Sequence, residues 1–426
     1  MTGGGEPASV FAAAMARAFP GGAPDALLLA VSGGGDSMAM LQLAADWAAG
    51  RGTALAVATV DHGLRAEAAD EVAMVARAAA ARGVAHDVLS WRWDGAGNLQ
   101  AAAREARFRL LAGRARARGA DAVLLAHTMD DQAETVLMRL ARGSGVDGLA
   151  GMGAARHMHG VRFLRPLLGA RRAELRAALA ARGAGWAEDP SNADPRFDRV
   201  RARAALEAGA ALGLDARGLA ETAARMAEAR AALGGAAQAL AAPHLRLEAG
   251  DLLLPVSVLA GAPAELRHRL LAHLLTLRAG RAYRPRYRPL RALAEAVCAG
   301  RGGVLHGCRV TVARGEMRIT REHAAVAGRR LPLAALEDGL WDGFWRIVSP
   351  AAPSTDPELT VGALGPDDLA ALPRPSAALP RATLLASPAI RADDRLVAAP
   401  LVAPHAPWRA EPVLDAAECL RGLVSD

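Results

Sequence analysis

The chain has 426 residues, 52% of them hydrophobic, which is enough apolar material for about two or three domains. Its formal charge is +7 and all 51 basic side chains are arginines, so a Walker-type phosphate loop and imine chemistry on a lysine of this chain are both excluded. Its three cysteines form no Cys-x-x-Cys pair, which argues against a disulfide framework or a four-thiolate zinc site and for a reducing, cytoplasmic setting.

In chain order, short apolar runs at 26–31, 55–60, 86–89 and 122–126 read as buried strands. Between them, 37–49, 68–82, 99–118 and 131–142 are long enough, and rich enough in Ala, Leu and Arg, for helices. Strand and helix in alternation predict an α/β domain with a parallel sheet covered on both faces. Ligands of such sheets sit at the carboxyl ends of the strands. Residues 206–241 read as an almost uninterrupted helical pattern, followed by an apolar segment at 252–256 and a further helix at 264–277. A hairpin is expected over 304–319, and beyond Pro332 the chain is proline-punctuated with short β-like runs such as 396–402. The expected division is 1–205, a largely helical 206–325, and a small mixed α/β domain at 326–426. No run approaches the roughly 18 apolar residues of a membrane span. A soluble protein without a membrane partner is therefore expected.

Charge is uneven along the chain. Residues 1–100 carry 6 Arg against 10 acidic groups, whereas 101–205 carry 19 against 11. Arginine's planar fork suits phosphate oxygens, so the middle stretch is a candidate nucleic-acid face; solvated helix faces would explain it equally well.

Ser32, Gly33, Gly34, Gly35, Asp36 and Ser37 follow the first strand and open a helix. Exposed N–H groups beside the positive end of a helix dipole make an anion cradle. Asp36 would repel a bare phosphate, so it fits a bound Mg²⁺, unless Asp36 or Ser37 simply caps the helix. The dinucleotide fingerprint fails because Met38 stands where its third glycine would fall. After the fourth strand come Ala126, His127, Thr128, Met129, Asp130, Asp131, Gln132, Ala133, Glu134 and Thr135, then Arg139, Arg142 and glycines at 143, 145, 148, 151 and 153. Asp131 and Glu134 share a helix face and can hold a metal or position an amine, while Thr128 and Asp131 equally suit a capping box.

The Ser-Gly-Gly-x-Asp-Ser string resembles the pyrophosphate-binding loop of N-type ATP pyrophosphatases, the PP-loop superfamily. Further segments resemble the tRNA(Ile)-lysidine synthetases in particular. They are Val60-Asp61-His62-Gly63-Leu64-Arg65; Asn98, Arg104, Arg107 and Phe108; the long string from Ala126 to Met152; Arg165-Pro166-Leu167-Leu168; and the run from Glu188 to Arg199. The sequence departs from that family at Val200 and Ala202, and at Thr128, where many members carry a second histidine.

The resemblance implies an adenine-nucleotide α-hydrolase-like fold for 1–205 and a tRNA-binding role for 206–325. It implies ATP and Mg²⁺, with free L-lysine and a tRNA(Ile) bearing a CAU anticodon as substrates. ATP would adenylate the wobble cytidine at its C2 oxygen, and lysine would then displace AMP to leave lysidine. Ser32, Gly33, Gly34, Gly35, Asp36, Ser37, Asp61, His62 and His127 would bind the nucleotide, and Asp36 and Asp130 the metal. Asp36, Asp130, Asp131, Glu134, Arg104, Arg107, Arg139 and Arg142 are the catalytic candidates. A tRNA thiolase on the same fold is disfavoured because the first cysteine is Cys298. An amidotransferase-type relative would need an ammonia source, and a tRNA binder with a decayed nucleotide site would have lost its acidic residues.

Overall fold

The computed structural model describes residues 6–61, 63, 68–93, 95, 97–188, 196–281, 283–336, 339–348, 359–373, 379–403 and 408–424. Two compact units divide the chain after Arg230.

In the first unit, helix α1 (Pro7–Ala18) precedes strand β1 (Ala26–Ala30), α2 (Gly35–Ala48), β2 (Ala54–Asp61), α3 (Ala68–Ala81) and β3 (Ala85–Ser90). Then come α4 (Leu99–Ala117), β4 (Ala122–Leu125), α5 (Met129–Ala141) and the short α6 (Val146–Leu149). The hairpin β5 (Ala155–Met158) and β6 (Val161–Leu164) leads to α7 (Arg172–Ala181) and α8 (Asp198–Ala208). The strands lie in the order β3-β2-β1-β4-β6-β5. All neighbours are parallel except β5 and β6.

Alternation of side chains across the pleat builds two cores. Leu27, Leu29 and Val57 face Phe11, Met15, Met40, Val75 and Leu175 on one side. Leu28, Ala30 and Ala58 face Phe108, Leu111 and Ala115 of α4 on the other. β1 connects to β2 on one side, while β4 joins β1 from the other, so the strand order reverses between β1 and β4. A crevice opens at the carboxyl ends there.

The four expected strands are present, each within a residue of the reading. The helical run expected over 206–241 is interrupted. A 3₁₀ turn at Gly209–Leu212 ends at Gly213, whose left-handed φ of 76° stops the helix before α9 (Ala216–Ala241) begins.

In the second unit, residues 246–321 pair as a five-stranded antiparallel sheet: Arg246–Glu248, Asp251–Pro255, Glu316–Arg321, Cys308–Ala313 and Gly303–Leu305, in spatial order. Helices α10 (Val256–Gly261), α11 (Ala264–Ala279) and α12 (Tyr287–Cys298) bury Leu259, Leu270, Leu274, Leu293 and Val297 against it. This stretch, read as largely helical, thus carries a sheet as well. Two smaller antiparallel sheets follow, around Trp341, Phe344 and Trp345 and around Ile390. No helix among the described residues is long and apolar enough to cross a membrane.

Candidate active site

A cleft of about 1620 Å³ occupies the crevice, lined from every element that ends there. β1 delivers Ser32, Gly34, Gly35, Asp36 and Ser37; β2 delivers Asp61; α4 delivers Arg107; α5 and its lead-in deliver His127, Asp131 and Glu134. α7 and α8 add Arg172, Arg176, Arg199 and Arg203.

The glycine loop is shaped by its own backbone. Gly33 takes φ +90°, which side chains rarely adopt, and its carbonyl accepts from the N–H of Ala187 at 2.9 Å. Gly34 caps α2 without a side-chain bond, so neither Asp36 nor Ser37 serves as the N-cap. The Ser37 hydroxyl donates to the Gly34 carbonyl at 2.9 Å and accepts from the Ser32 N–H at 3.1 Å. The Ser32 hydroxyl lies 3.3 Å from that of Ser37, so both sit at the mouth of the helix, where N–H groups and dipole favour an anion.

α5 begins with the capping box. Asp131 Oδ2 accepts from the Thr128 N–H at 2.8 Å and its hydroxyl at 2.9 Å. Capping therefore holds, and it leaves Asp131 Oδ1 turned to the cleft, where it meets Arg172.

Arg172 organises the acidic side of the site. Its guanidinium donates to Asp36 Oδ2 at 3.1 Å, Asp131 Oδ1 at 3.1 Å and Glu134 Oε1 at 3.3 Å. Arg203 adds two bonds to Glu134 Oε1, at 3.2 and 3.0 Å. Burial opposes charge on Arg172, but Asp131, Asp36 and Glu134 outweigh it and raise its pKa above the ordinary arginine value. Asp131 is likewise pushed up by burial but held below the usual carboxylate range by Arg172 and the Thr128 N–H. Asp36 goes the other way: burial, only partly offset by Arg172, raises its pKa.

Sequence reasoning missed Arg172 and Arg203. A signal existed for the first: Arg172 opens a helix, where the dipole disfavours a cation unless carboxylates surround it.

Across the cleft the balance is reversed. Arg107 and Arg199 have no hydrogen-bonding or ion-pair partner among the described residues, and each depresses the pKa of His127 beside them. Burial is the main cause, and together these bring His127 down to about 3, so the imidazole is neutral. Its Nδ1 is buried with no hydrogen-bond partner among the described residues.

Other expected residues stand outside this lining. Asp130 accepts from the Arg172 N–H at 2.7 Å and from Arg171 Nε at 3.3 Å, so it ties α5 to the start of α7. Arg104 lies over Phe108 and lines a separate pocket of about 150 Å³. Arg139 donates to the carbonyls of Gly148 and Gly151, and Arg142 pairs with Asp198 at 2.6 Å. Gln132 exchanges two bonds with the Met152 backbone, so the glycine string is stapled to α5. Asp61 reaches the cleft while accepting from the Gly63 N–H at 2.8 Å. His62 lies outside the described residues, as do residues 189–195.

Among the described residues no three His, Cys, Asp or Glu side chains are placed to hold a metal ion together. The donor set nevertheless suits an ion held chiefly by phosphates, since Mg²⁺ commonly takes one or two carboxylates and fills the rest with phosphate and water. Asp36 Oδ1 is buried and unpartnered, a fitting donor, whereas both Asp130 oxygens are engaged at α7.

A parallel sheet with this loop at its switch point defines a PP-loop domain, and the PP-loop domain model matches residues 8–208. The chain is 44% identical over 91% of its length to the tRNA(Ile)-lysidine synthase of Ruegeria pomeroyi, of which it covers 91%. It is 50% identical to that of Rhodopseudomonas palustris over 65% of this chain and 81% of the relative. To that of Hyphomonas neptunium it is 42% identical over 74% and 86%. The chain belongs to the tRNA(Ile)-lysidine synthase family and is an enzyme, a ligase of the PP-loop group.

Proposed function

We propose that the enzyme joins free L-lysine to C2 of the wobble cytidine in a tRNA(Ile) with a CAU anticodon, at the expense of ATP. The observation that carries this reading is the division of one cleft into a phosphate cradle, an acidic wall organised by Arg172 and a basic wall of Arg107 and Arg199. The family membership supports tRNA(Ile) as the substrate.

The backbone N–H groups at the start of α2 and the Ser32 and Ser37 hydroxyls bind the ATP phosphates. The cytosine C2 oxygen attacks the α-phosphorus, a P–O bond forms, and pyrophosphate leaves. Arg107 and Arg199, which have no ion-pair partner among the described residues, stabilise the negative charge that builds on phosphorus. Asp36 Oδ1 would hold Mg²⁺, which would supply charge neutralisation for the phosphates.

The lysine amine then attacks C2, and AMP departs with the original oxygen. Adenylation makes that oxygen a competent leaving group, which is why ATP is consumed. The incoming ammonium must lose protons, and Glu134 Oε2, buried in the cleft and without a hydrogen-bond partner among the described residues, is a carboxylate oxygen with capacity to take one. Asp131 is bonded at both oxygens and serves to position Arg172. The neutral His127 offers an uncharged contact to base or ribose. The reaction is cytoplasmic in this reading, and residues after 205 hold the tRNA.

Radiolabelled lysine, an unmodified isoleucine tRNA transcript bearing CAU, and Asp36→Asn protein test this. Label should enter the RNA only with ATP and be lost in the variant. Folded protein that transfers no label would overturn the assignment.

A further inference from the structure

Both tyrosines of the chain stand in one short segment, in a repeated Tyr-Arg-Pro triplet at Tyr283-Arg284-Pro285 and Tyr287-Arg288-Pro289. The segment joins α11 to α12, and it turns both rings outward: Tyr283 is 74% exposed and Tyr287 61%. A phenol ring left in water forgoes the burial that would stabilise it, so two in one strip mark a surface meant to be covered.

Charge makes the strip more specific. Arg281, Arg284, Arg286, Arg288 and Arg291 are all exposed. No acidic residue occurs between Glu265 and Glu295, and Glu295 is paired with Arg291 at 3.2 Å. Arg281, Arg286 and Arg288 have no carboxylate partner among the described residues. Arg286 is the N-cap of α12 and Arg288 lies in its first turn, which holds no acidic residue. Cations are disfavoured at that end of a helix, so the arrangement is one an external anion would relieve. The platform beneath is rigid, because Leu290, Leu293, Ala294 and Val297 bury the opposite face of α12. Tyr287 is also set edge-on against His268 at 5.5 Å.

We propose that this strip is an RNA-binding platform, on which Arg281, Arg286 and Arg288 take backbone phosphates and Tyr283 and Tyr287 stack on unpaired bases. Alternating cations and flat rings is the combination that single-stranded or loop RNA needs and that duplex backbone alone does not. The inference rests on the proposed function only in taking the RNA to be the substrate tRNA. It assigns the second unit a surface of its own for that RNA, separate from the residues that line the cleft.

The test is direct binding of tRNA transcript to full-length protein without ATP or lysine, so its failure is distinguishable from failure of lysine transfer. Variants are Arg286→Ala with Arg288→Ala and, separately, Tyr283→Ala with Tyr287→Ala; exposure of all four lets unfolding temperatures confirm folding. Losing two phosphate contacts should lower the salt slope of log K by about 1.5 and weaken binding roughly tenfold. Losing both rings should weaken binding at least fivefold, about 1 kcal/mol, with the slope unchanged. Ultraviolet crosslinking should place the RNA on a peptide that contains Tyr283 or Tyr287. Binding within twofold of the parent in both variants would overturn the proposal. So would displacement of tRNA by polyglutamate at equal charge, because an acidic protein would then satisfy the strip without bases.

Discussion

Replacing Arg172 with methionine keeps most of the buried stem and removes the charge that three carboxylates share. The guanidinium sits 3.1 to 3.3 Å from Asp36, Asp131 and Glu134, and its side chain is only 20% exposed. At an effective dielectric of about 20, one pair at 4 Å is worth about 4 kcal/mol gross, most of it offset by desolvation. What decides the outcome is the charge left behind. Stranding a buried carboxylate costs about 3–5 kcal/mol; Glu134 keeps Arg203 and Asp131 keeps its Thr128 bonds, so the cost falls chiefly on Asp36. A loss of about 5 kcal/mol in the first unit, Met1–Arg230, corresponds to roughly 10–20 °C in Tm.

The pH dependence gives a second reading. Without Arg172, Asp36 and Asp131 lose the guanidinium that lowers their pKa, and their folded values rise above the unfolded ones. The penalty is then absent below the unfolded pKa and grows as pH rises through the folded values. The deficit of Arg172→Met relative to the parent should therefore shrink between pH 7 and pH 4, followed by thermal unfolding across that range. Arg172→Lys should recover part of the stability, since a single ammonium cannot face all three acids. Full Tm and full lysine transfer in Arg172→Met would refute the organising role.

Three further outcomes follow from the geometry. His127, held at about 3 when folded, binds fewer protons folded than unfolded across pH 3 to 6.5, so it makes stability fall on acidification through that window. His127→Asn should flatten that slope by up to about 1.4 kcal/mol per pH unit, measured by urea denaturation at pH 6.5, 5.5 and 4.5. Gly33→Ala must place a side chain at φ +90°; about tenfold weaker ATP binding by calorimetry is expected, with tRNA affinity unchanged. In Gly151→Ala the new Cβ would lie 2.7 Å from the Gln132 amide, displacing its bonds to Met152; a loss of about 2–3 kcal/mol should appear in the denaturation midpoint.

The parallel architecture was legible because burial on both faces forces short continuous apolar runs, and 26–31, 55–60 and 122–126 are such runs. The glycine loop and the Thr128–Asp131 cap were legible too, for they are made by neighbours in the chain. The break at Gly213 escaped notice because an alanine-rich pattern scores as helix whether or not one glycine turns left-handed. In the cleft, residue types alone drew Asp36, Asp130, Asp131 and Glu134 together as one acidic set. Only the fold separates them: Asp130 turns to the start of α7, while the other three converge on a guanidinium 136 residues distant from Asp36. Which arginines lack a partner among the described residues was equally invisible, since Arg139 and Arg142 bond to neighbouring groups while Arg107 and Arg199 line the cleft without one. Local chemistry follows from short-range order, so the sequence by itself determined the loop and the cap, and its motifs carried the family resemblance. Charge pairing depends on which distant groups share a few ångströms of low-dielectric space, and the tertiary structure alone decided that.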